Sequence, residues 1–292
     1  MMKKTLLLII LLLLLAPLSA DIYDAAADKP EFTVKTLELR KSVDESYVWV
    51  YIKIPVASVE LKKETTREGQ MLYKSKVKFN VTASVDGKEV GKDSWKSTNL
   101  VAENLNSRLY IFDYTIIEAP SGKDISIDVQ VEDLYAKKQN TLHIAKSLSE
   151  FKDLSMSQLV WATQIRDLKP EDRSNTRFIS LYLNPIIDNV FFSPGYPLAY
   201  YEVYGLVPDE DDEYNYKITY SIFDNADKLF YTFIDTKEGE FLESGDIIVI
   251  TSPVILDILA LVSSGDYTIS IEVEDLNNGA KKELREKLTK KL

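Results

Sequence analysis

Few side chains of the kinds that carry out catalysis occur in this chain. His143 is the only histidine and there is no cysteine, so neither a multi-histidine zinc site nor a thiolate site can be built. The histidine lies between Leu142 and Ile144, and the period-two pattern of a strand puts it on the solvent face. The sequence contains no G-x-S-x-G elbow, phosphate-binding loop or dinucleotide-binding glycine pattern. We therefore expect no catalytic residue, no metal site and no cofactor.

Carboxylates are the remaining candidates for chemistry. Glu132-Asp133 and Glu274-Asp275 end two similar segments, and a glycoside hydrolase needs a pair of acidic side chains in a cleft. The simpler interpretation is that these aspartates form turns where strands end. The acidic run 209–213 offers oxygens for Ca²⁺ but lacks the ligand spacing and the glycine of a calcium loop, so we expect a solvated loop there.

Aromatic side chains form the best candidate for a binding surface. In the predicted strand 47–54, the valines and isoleucines share one face, which leaves Tyr47, Trp49 and Tyr51 on the other. In the predicted strand 198–206, Tyr200, Glu202 and Tyr204 share one side. Flat rings beside a carboxylate suit sugar rings or an extended peptide. The candidate ligand-binding residues are therefore Trp49, Tyr51, Tyr200, Glu202 and Tyr204. The alternative is that the segment after Pro55, the neighbouring domain or another subunit covers these faces, and burial of the rings distinguishes the two.

The elements that position these side chains are strands. Apolar and polar residues alternate over both halves of the chain, as in antiparallel sheets with one buried face. The strands predicted in the first half are 32–39, 47–54, 73–85, 89–97, 108–117, 125–134 and 141–148. Those predicted in the second half are 158–165, 178–183, 198–206, 214–223, 228–234, 246–251 and 266–275. Asp86-Gly87 predicts a hairpin turn, since both residues tolerate positive φ.

About seven short strands per half predict an all-β fold of two tandem immunoglobulin-like antiparallel β-sandwich domains. The tyrosine corner at Tyr267 supports this class. We place the domains at 30–150 and 154–292, the second with a basic C-terminal tail from Lys281. Leucines at every fourth position of that tail favour a helix, whereas its place after the last strand favours a short strand with a frayed or helical end. The segment 254–261 is apolar on several sides and is interpreted as a short helix.

Two segments of the first half recur in the second. Ile127–Leu134 (IDVQVEDL) matches Ile269–Leu276 (ISIEVEDL) at five of eight positions. At nearly the same offset, the alternating segment from Tyr73 to Val81 matches that from Tyr214 to Ile222. Two matches at one spacing predict a duplicated domain.

The first twenty residues are typical of a secretory signal peptide, 1–20. Lys3 and Lys4 precede an apolar run that is too short for a comfortable membrane span, and small residues follow it. Cleavage after Ala20 and cleavage after Ala27 both fit; an uncleaved anchor is the alternative. We expect an exported protein, periplasmic or extracellular, without a transmembrane segment once the signal is removed. The net charge of −11 disfavours nucleic acid as a partner, because an acidic surface repels phosphates.

Several motifs resemble one bacterial family. The segments LSMSQL (154–159), LNP (183–185), AYYEVYGL (199–206) and SGDYTI (264–269) occur in this order. Together they resemble the N-terminal region of bacterial proteins that carry a GWxTD domain. The GWxTD motif itself is absent, since none of the three tryptophans follows a glycine. The resemblance implies an exported envelope protein of β-sandwich modules without assigned catalytic chemistry.

These observations together predict a non-enzymatic binding or scaffolding module of the bacterial cell envelope, whose partner is an envelope protein or a glycan. One alternative is a carbohydrate-binding module that uses the aromatic strand faces. Another is a hydrolase with two carboxylates.

Overall fold

The chain folds almost entirely into β-strands. The computed structural model describes residues 29–65, 71–102, 109–167, 181–187, 189–192, 198–240, 247–252 and 263–291. The predicted all-β sandwich fold is confirmed, with several antiparallel sheets. Within the described ranges no helix is long and apolar enough to cross a membrane. The expected signal peptide and the helix predicted at 254–261 lie outside the described residues.

The first sandwich contains eight strands and one short 3-10 turn at Val56–Ser58. The strands are β1 (Thr33–Arg40), β2 (Glu45–Pro55), β3 (Lys62–Thr65), β4 (Met71–Val85), β5 (Lys88–Ala102), β6 (Tyr110–Pro120), β7 (Asp124–Asp133) and β8 (Lys138–Ser147). One sheet has the order β1-β2-β6, and the other has the order β3-β4-β7-β8 with β5 also paired to β4. The predicted turn joins β4 to β5, with φ of 51° at Asp86 and 73° at Gly87.

The core of the first sandwich lies between these two sheets and follows the period-two pattern. The residues of β2 that face it are Val48, Val50, Ile52 and Ile54. Those of β4 and β7 include Val77, Phe79, Val81, Ile127, Val129 and Val131, all fully buried. Because successive strand residues point to opposite faces, β2 places its aromatic residues on the outer side of the sheet.

The second sandwich contains ten strands. They are β9 (Ser155–Met156), β10 (Val160–Asp167), β11 (Leu181–Pro185), β12 (Val190–Phe192), β13 (Leu198–Tyr204), β14 (Tyr214–Phe223), β15 (Leu229–Glu240), β16 (Ile247–Ser252), β17 (Gly265–Asp275) and β18 (Lys281–Lys291). One sheet has the order β11-β10-β13-β16, with β9 also paired to β13. The other has the order β12-β18-β17-β14-β15, in which β12 and β18 are parallel.

The basic tail is a strand, so the expected helical end is wrong over the described residues. β18 pairs with β17 from Lys281 to Lys290. Leu284 and Leu288 pack towards the core from the same face of β18. A spacing of four residues repeats one face of a strand as well as one face of a helix, so the leucines alone do not distinguish the two.

The two sandwiches share a strand order in one sheet. The order β5-β4-β7-β8 in the first corresponds to β15-β14-β17-β18 in the second. Phe79 lies opposite Val131, and Ile218 lies opposite Val273. Because Val131 and Val273 are equivalent in the repeat, the structure makes Phe79 the counterpart of Ile218. The sequence match instead pairs Ile218 with Val77, which lies two residues before Phe79. A shift of two residues keeps the same strand face inward, and for that reason the alternating pattern does not reveal it.

Candidate functional site

The two sandwiches contact each other through the outer faces of β1 and β2 on one side and of β10 and β13 on the other. A separate hydrophobic cluster, here called the joint, fills this contact. Its fully buried members are Leu37, Leu39, Trp49, Tyr51, Val160 and Tyr200. Five partly buried side chains surround them: Tyr47, Phe112, Tyr114, Ile116 and Ile187. β2 is therefore apolar on both faces, one for its own core and one for the joint. β13 turns Ala199, Tyr201 and Val203 towards its own core, and its opposite face, at the joint, carries a carboxyl group between two tyrosines.

All five candidate ligand-binding residues lie at this contact, and all are buried. Trp49 and Tyr200 are 1% exposed, Tyr51 and Tyr204 are 0% exposed, and Glu202 is 7% exposed. The pattern predicted correctly which side chains share a strand face. The expectation that the rings form an accessible surface is not met, because the neighbouring sandwich covers them. A sugar or peptide that stacks on a ring requires an open ring face, and this arrangement offers none.

The aromatic rings of the first sandwich stack on one another within the joint. The Trp49 ring lies 5.3 Å from Tyr114 and 5.7 Å from Tyr51, between centroids, with interplanar angles of 15° and 26°. Offset stacking at this distance adds about 0.5–1.5 kcal/mol per pair beyond the burial of area. Trp49 thus anchors the outer face of β2.

Glu202 is a buried carboxyl group held between two tyrosines. On a strand, residues two apart point to the same side. Accordingly, the Tyr200 hydroxyl donates to Oε1 of Glu202 and the Tyr204 hydroxyl donates to Oε2, the latter at 2.5 Å. Burial raises the pKa of Glu202, while the two hydroxyl donors and the nearby Arg40 charge act in the opposite direction.

Both tyrosines serve as hydrogen-bond donors at neutral pH. Burial and the adjacent Glu202 carboxylate raise the pKa of Tyr200 and of Tyr204 far above the usual value for a phenol. A phenol with a raised pKa keeps its proton and cannot act as a base near pH 7. The cluster therefore organises the contact and offers no exposed acid or base.

Tyr204 connects β13 to the first sandwich and to the linker, the segment 148–154 between β8 and β9. The Arg40 backbone N–H donates to the Tyr204 hydroxyl at 3.1 Å, and the Arg40 guanidinium lies 4.8 Å from the ring centroid. Phe151 of the linker meets the same ring edge-on, with centroids 5.1 Å apart. One side chain thus contacts the last residue of β1, the linker and the buried Glu202.

A second buried carboxylate, which the sequence interpretation missed, lies at the edge of the joint. Glu38 is 2% exposed. It accepts hydrogen bonds from the Ser46 hydroxyl at 3.1 Å and from the Ser149 backbone N–H at 2.7 Å. Lys146 lies 3.6 Å from it. Burial lowers the pKa of Lys146, and the charge of Glu38 and its hydrogen bond counteract this effect.

Polar contacts from the second sandwich complete this edge. Oε1 of Gln158 accepts from Lys146 Nζ at 2.9 Å and from the Glu38 backbone N–H at 3.2 Å. Farther along, Lys35 Nζ donates to Oδ1 of Asn189 at 2.6 Å, and the Asn189 amide donates to Glu286. Hydrogen bonds therefore flank the apolar joint and hold the two sandwiches in one relative position.

The repeated acidic pairs stabilise turns. Asp133 and Asp275 are 2% and 0% exposed. In each aspartate, Oδ1 accepts a hydrogen bond from the backbone N–H two residues later. Oδ2 accepts a hydrogen bond from a backbone N–H more than sixty residues earlier in the chain. These donors are Tyr135 at 2.9 Å and Glu60 at 2.6 Å for Asp133, and Asn277 at 3.0 Å and Val207 at 2.9 Å for Asp275. The turn interpretation accounts for both aspartates.

The other polar candidates are engaged locally. Oδ1 of Asp209 accepts the backbone N–H groups of Asp211 and Glu213, and such hydrogen bonds lower its pKa. His143 lies on the exposed side of β8, where Nδ1 is 2.9 Å from Asp128. Over the residues that the structure describes, no group of three or more histidine, aspartate or glutamate side chains is arranged to hold a metal ion.

Comparisons with known proteins add little to this picture. No protein-family model matches the chain, and no curated protein matches it. Among solved structures, a Bacteroides uniformis β-glucuronidase is similar over 82% of this chain and 26% of its own, with 10% identity and a TM-score of 0.27. A Bacteroides uniformis β-glucuronidase 2 covalently bound to cyclophellitol-6-carboxylate aziridine gives the same coverage and identity with a TM-score of 0.26. The chain spans 26% of the length of these structures. TM-scores this low carry no argument for fold or function.

Proposed function

We propose that this protein is an exported, non-enzymatic scaffolding module of the bacterial envelope, in which two β-sandwiches act as one rigid unit that binds an envelope protein. The joint is the observation that carries the proposal. Domains that share a small polar contact usually move relative to each other, whereas a large apolar contact holds them. The joint buries aromatic rings and is flanked by hydrogen bonds. A module of this kind presents distant surfaces at a constant spacing.

Further features support the more specific parts of the proposal. The shared strand order and the equivalent hydrogen bonds of Asp133 and Asp275 support a duplicated domain. The two packed antiparallel sheets of the first sandwich, of three and five strands, support an immunoglobulin-like class, as does the Tyr267 hydroxyl, which donates to the Ser263 carbonyl at 2.9 Å. The charged start and apolar run of 1–20, together with the resemblance to the N-terminal region of GWxTD-domain proteins, support export to the envelope.

Cross-linking in intact bacteria tests the role. The full chain with a C-terminal affinity tag is expressed, cross-linked in the cell and purified under denaturing conditions. We expect loss of the leader and recovery of one or a few envelope proteins. The matched control begins after Ala27, lacks the leader and should recover none of them. An uncleaved leader would contradict export. Identical protein sets from the two chains, or no cross-linked envelope component, would contradict the scaffolding role.

The carbohydrate-binding alternative loses its main support, because its five candidate residues are covered at the joint. We therefore do not propose a glycan as the partner.

A further inference from the structure

The outer face of the larger sheet in the first sandwich carries a group of lysines. β4 turns Val77 and Phe79 towards the core, so the lysines at the alternate positions of β4 lie on the outer face. Their cross-strand partners, Lys96 on β5 and Lys62 on β3, lie on the same face. This group, here called the lysine patch, comprises Lys62, Lys74, Lys76, Lys78 and Lys96.

The lysine patch brings like charges together. Lys78 lies directly opposite Lys96, and Lys62 lies directly opposite Lys74. The Cβ atoms of such pairs are about 4.5–5.5 Å apart, and like charges at these positions destabilise a sheet. A carboxylate at one position of each pair would make the sheet more stable. The lysines therefore do not serve the pairing of these strands, which indicates a role outside the fold.

Few carboxylates neutralise the lysine patch. Within the described part of the chain, Lys74 is the one member that forms an ion pair, with Glu64 at 2.9 Å. Glu132 on β7 lies opposite Lys78. The next carboxylate along this face of β7 is Asp128, four residues farther from the patch. The five lysines thus outnumber the two carboxylates beside them.

The equivalent face of the second sandwich pairs its charges instead. Lys217 on β14 forms an ion pair with Glu274 on β17. Lys281 on β18 lies 3.3 Å from the same carboxylate, and Arg285 pairs with Asp227 at 2.7 Å. An unbalanced group of lysines on this face is therefore particular to the first sandwich.

Two less polar side chains lie within the lysine patch. Leu100 on β5 lies opposite Lys74 and is 58% exposed. The ammonium groups of Lys62 and Lys76 lie over the ring of Tyr135, 4.4 and 5.9 Å from its centroid. Tyrosine and the long stem of lysine suit the boundary between the headgroups and the acyl chains of a bilayer. An acidic polysaccharide offers no apolar layer to an exposed leucine.

We propose that the lysine patch binds the headgroups of an anionic lipid bilayer. Screening limits the reach of exposed charges to about 8 Å at physiological salt, so a local patch attracts lipid although the whole chain is acidic. The net charge of −11 keeps the other faces away from the bilayer, and the bound chain therefore has one orientation. This inference goes beyond the scaffolding role and depends neither on export nor on an envelope protein.

Sedimentation with lipid vesicles measures this binding. The chain that begins after Ala27 is used, because it contains every described residue and lacks the apolar run that would itself enter lipid. We expect binding to phosphatidylcholine vesicles that contain about 30% phosphatidylglycerol, and little binding to phosphatidylcholine alone. The binding should weaken as salt is raised from about 0.05 to 0.5 M.

Neutralising exposed lysines tests the location. One lysine near an anionic surface changes partitioning about fivefold, so Lys76→Gln and Lys96→Gln should each weaken binding about fivefold and together about twenty-five-fold. Both side chains are exposed, and an unchanged circular dichroism spectrum checks the fold. The matched control combines Lys282→Gln and Lys287→Gln, at exposed positions of β18. It changes the net charge equally and should bind like the parent.

Three results would overturn the proposal. The first is an equal loss of binding in the two double variants, and the second is a parent chain that does not distinguish the two kinds of vesicle. The third is binding to polygalacturonate without binding to the anionic vesicles, which would assign the patch to an acidic polysaccharide.

Discussion

Gly205 is the position where a single methyl group tests the joint most directly. It follows Tyr204 and has φ of +72°. A Cβ there would lie 2.7 Å from the Asp153 carbonyl oxygen of the linker. Gly279 provides a matched control, because its φ is +76° and a Cβ there would meet nothing within 4 Å. The two alanine variants share the backbone penalty and differ in the contact.

The expected magnitudes follow from these two terms. A left-handed conformation costs an alanine about 1–2 kcal/mol, which applies to both variants. Forcing a methyl group into a filled space costs about a further 1–3 kcal/mol. That second penalty applies to Gly205→Ala alone, because the obstacle is backbone and cannot rotate away. We therefore expect Gly205→Ala to lose about 1–3 kcal/mol more unfolding free energy than Gly279→Ala.

Urea unfolding of both variants and the parent, followed by tryptophan fluorescence, measures this difference. Small-angle scattering checks the geometry, since displacing the Asp153 carbonyl should alter the angle between the sandwiches in Gly205→Ala only. Equal losses of stability in the two variants, with unchanged scattering, would refute the inference that the linker packs against Gly205 and holds the joint.

Three further predictions concern the buried side chains. Trp49→Ala should lower the unfolding free energy by about 3–5 kcal/mol in urea titrations, and a loss below about 1 kcal/mol would mean that the ring is exposed in solution. Because the pKa of Glu202 is raised on folding, its contribution to stability is present below the unfolded pKa, near 4.5, and is lost as pH rises through the folded pKa. Urea titrations from pH 4 to 8 should therefore show Glu202→Gln gaining stability relative to the parent, by at most about 1.4 kcal/mol per pH unit, and a constant difference would contradict burial of the charge. Asp275→Ala should lose about 1–3 kcal/mol of unfolding free energy for each backbone N–H left without an acceptor, and Asp133→Ala should lose a similar amount. Thermal unfolding of the two variants and the parent measures these losses. A negligible loss in both variants would contradict the role of the aspartates in the turns.

Most of the strand pattern could be predicted from the sequence. Tyr214–Phe223 was predicted with the observed bounds, and most other strands were predicted to within a few residues. The short strands β3, β9 and β12 were missed. They contain only two to four residues, too few for alternation to be visible. Their pairing depends on the longer strands beside them.

The candidate site was predicted in its composition but not in its role. Period two correctly separated Trp49 and Tyr51 from the core-facing residues of β2, and it grouped Glu202 with its two tyrosines. Glu38 was missed because an isolated glutamate on a strand gives no sign that three hydrogen-bond donors will surround it. Ser46 on the neighbouring strand supplies one donor, and Ser149, 111 residues away, supplies two. Only the folded arrangement brings them together.

The sequence by itself determined that the chain is built of strands and which side chains share each face, because alternation along a strand is a local property. It also located the aspartates that end equivalent strands. Only the tertiary structure decided what lies against the outer face of β2, since an apolar strand face packs equally well against a ligand, another domain or another subunit. The docking of the second sandwich settled this point and turned a candidate binding surface into a joint. The same limit applied to β18, where a four-residue spacing fits a helix or a strand until a partner strand pairs with it.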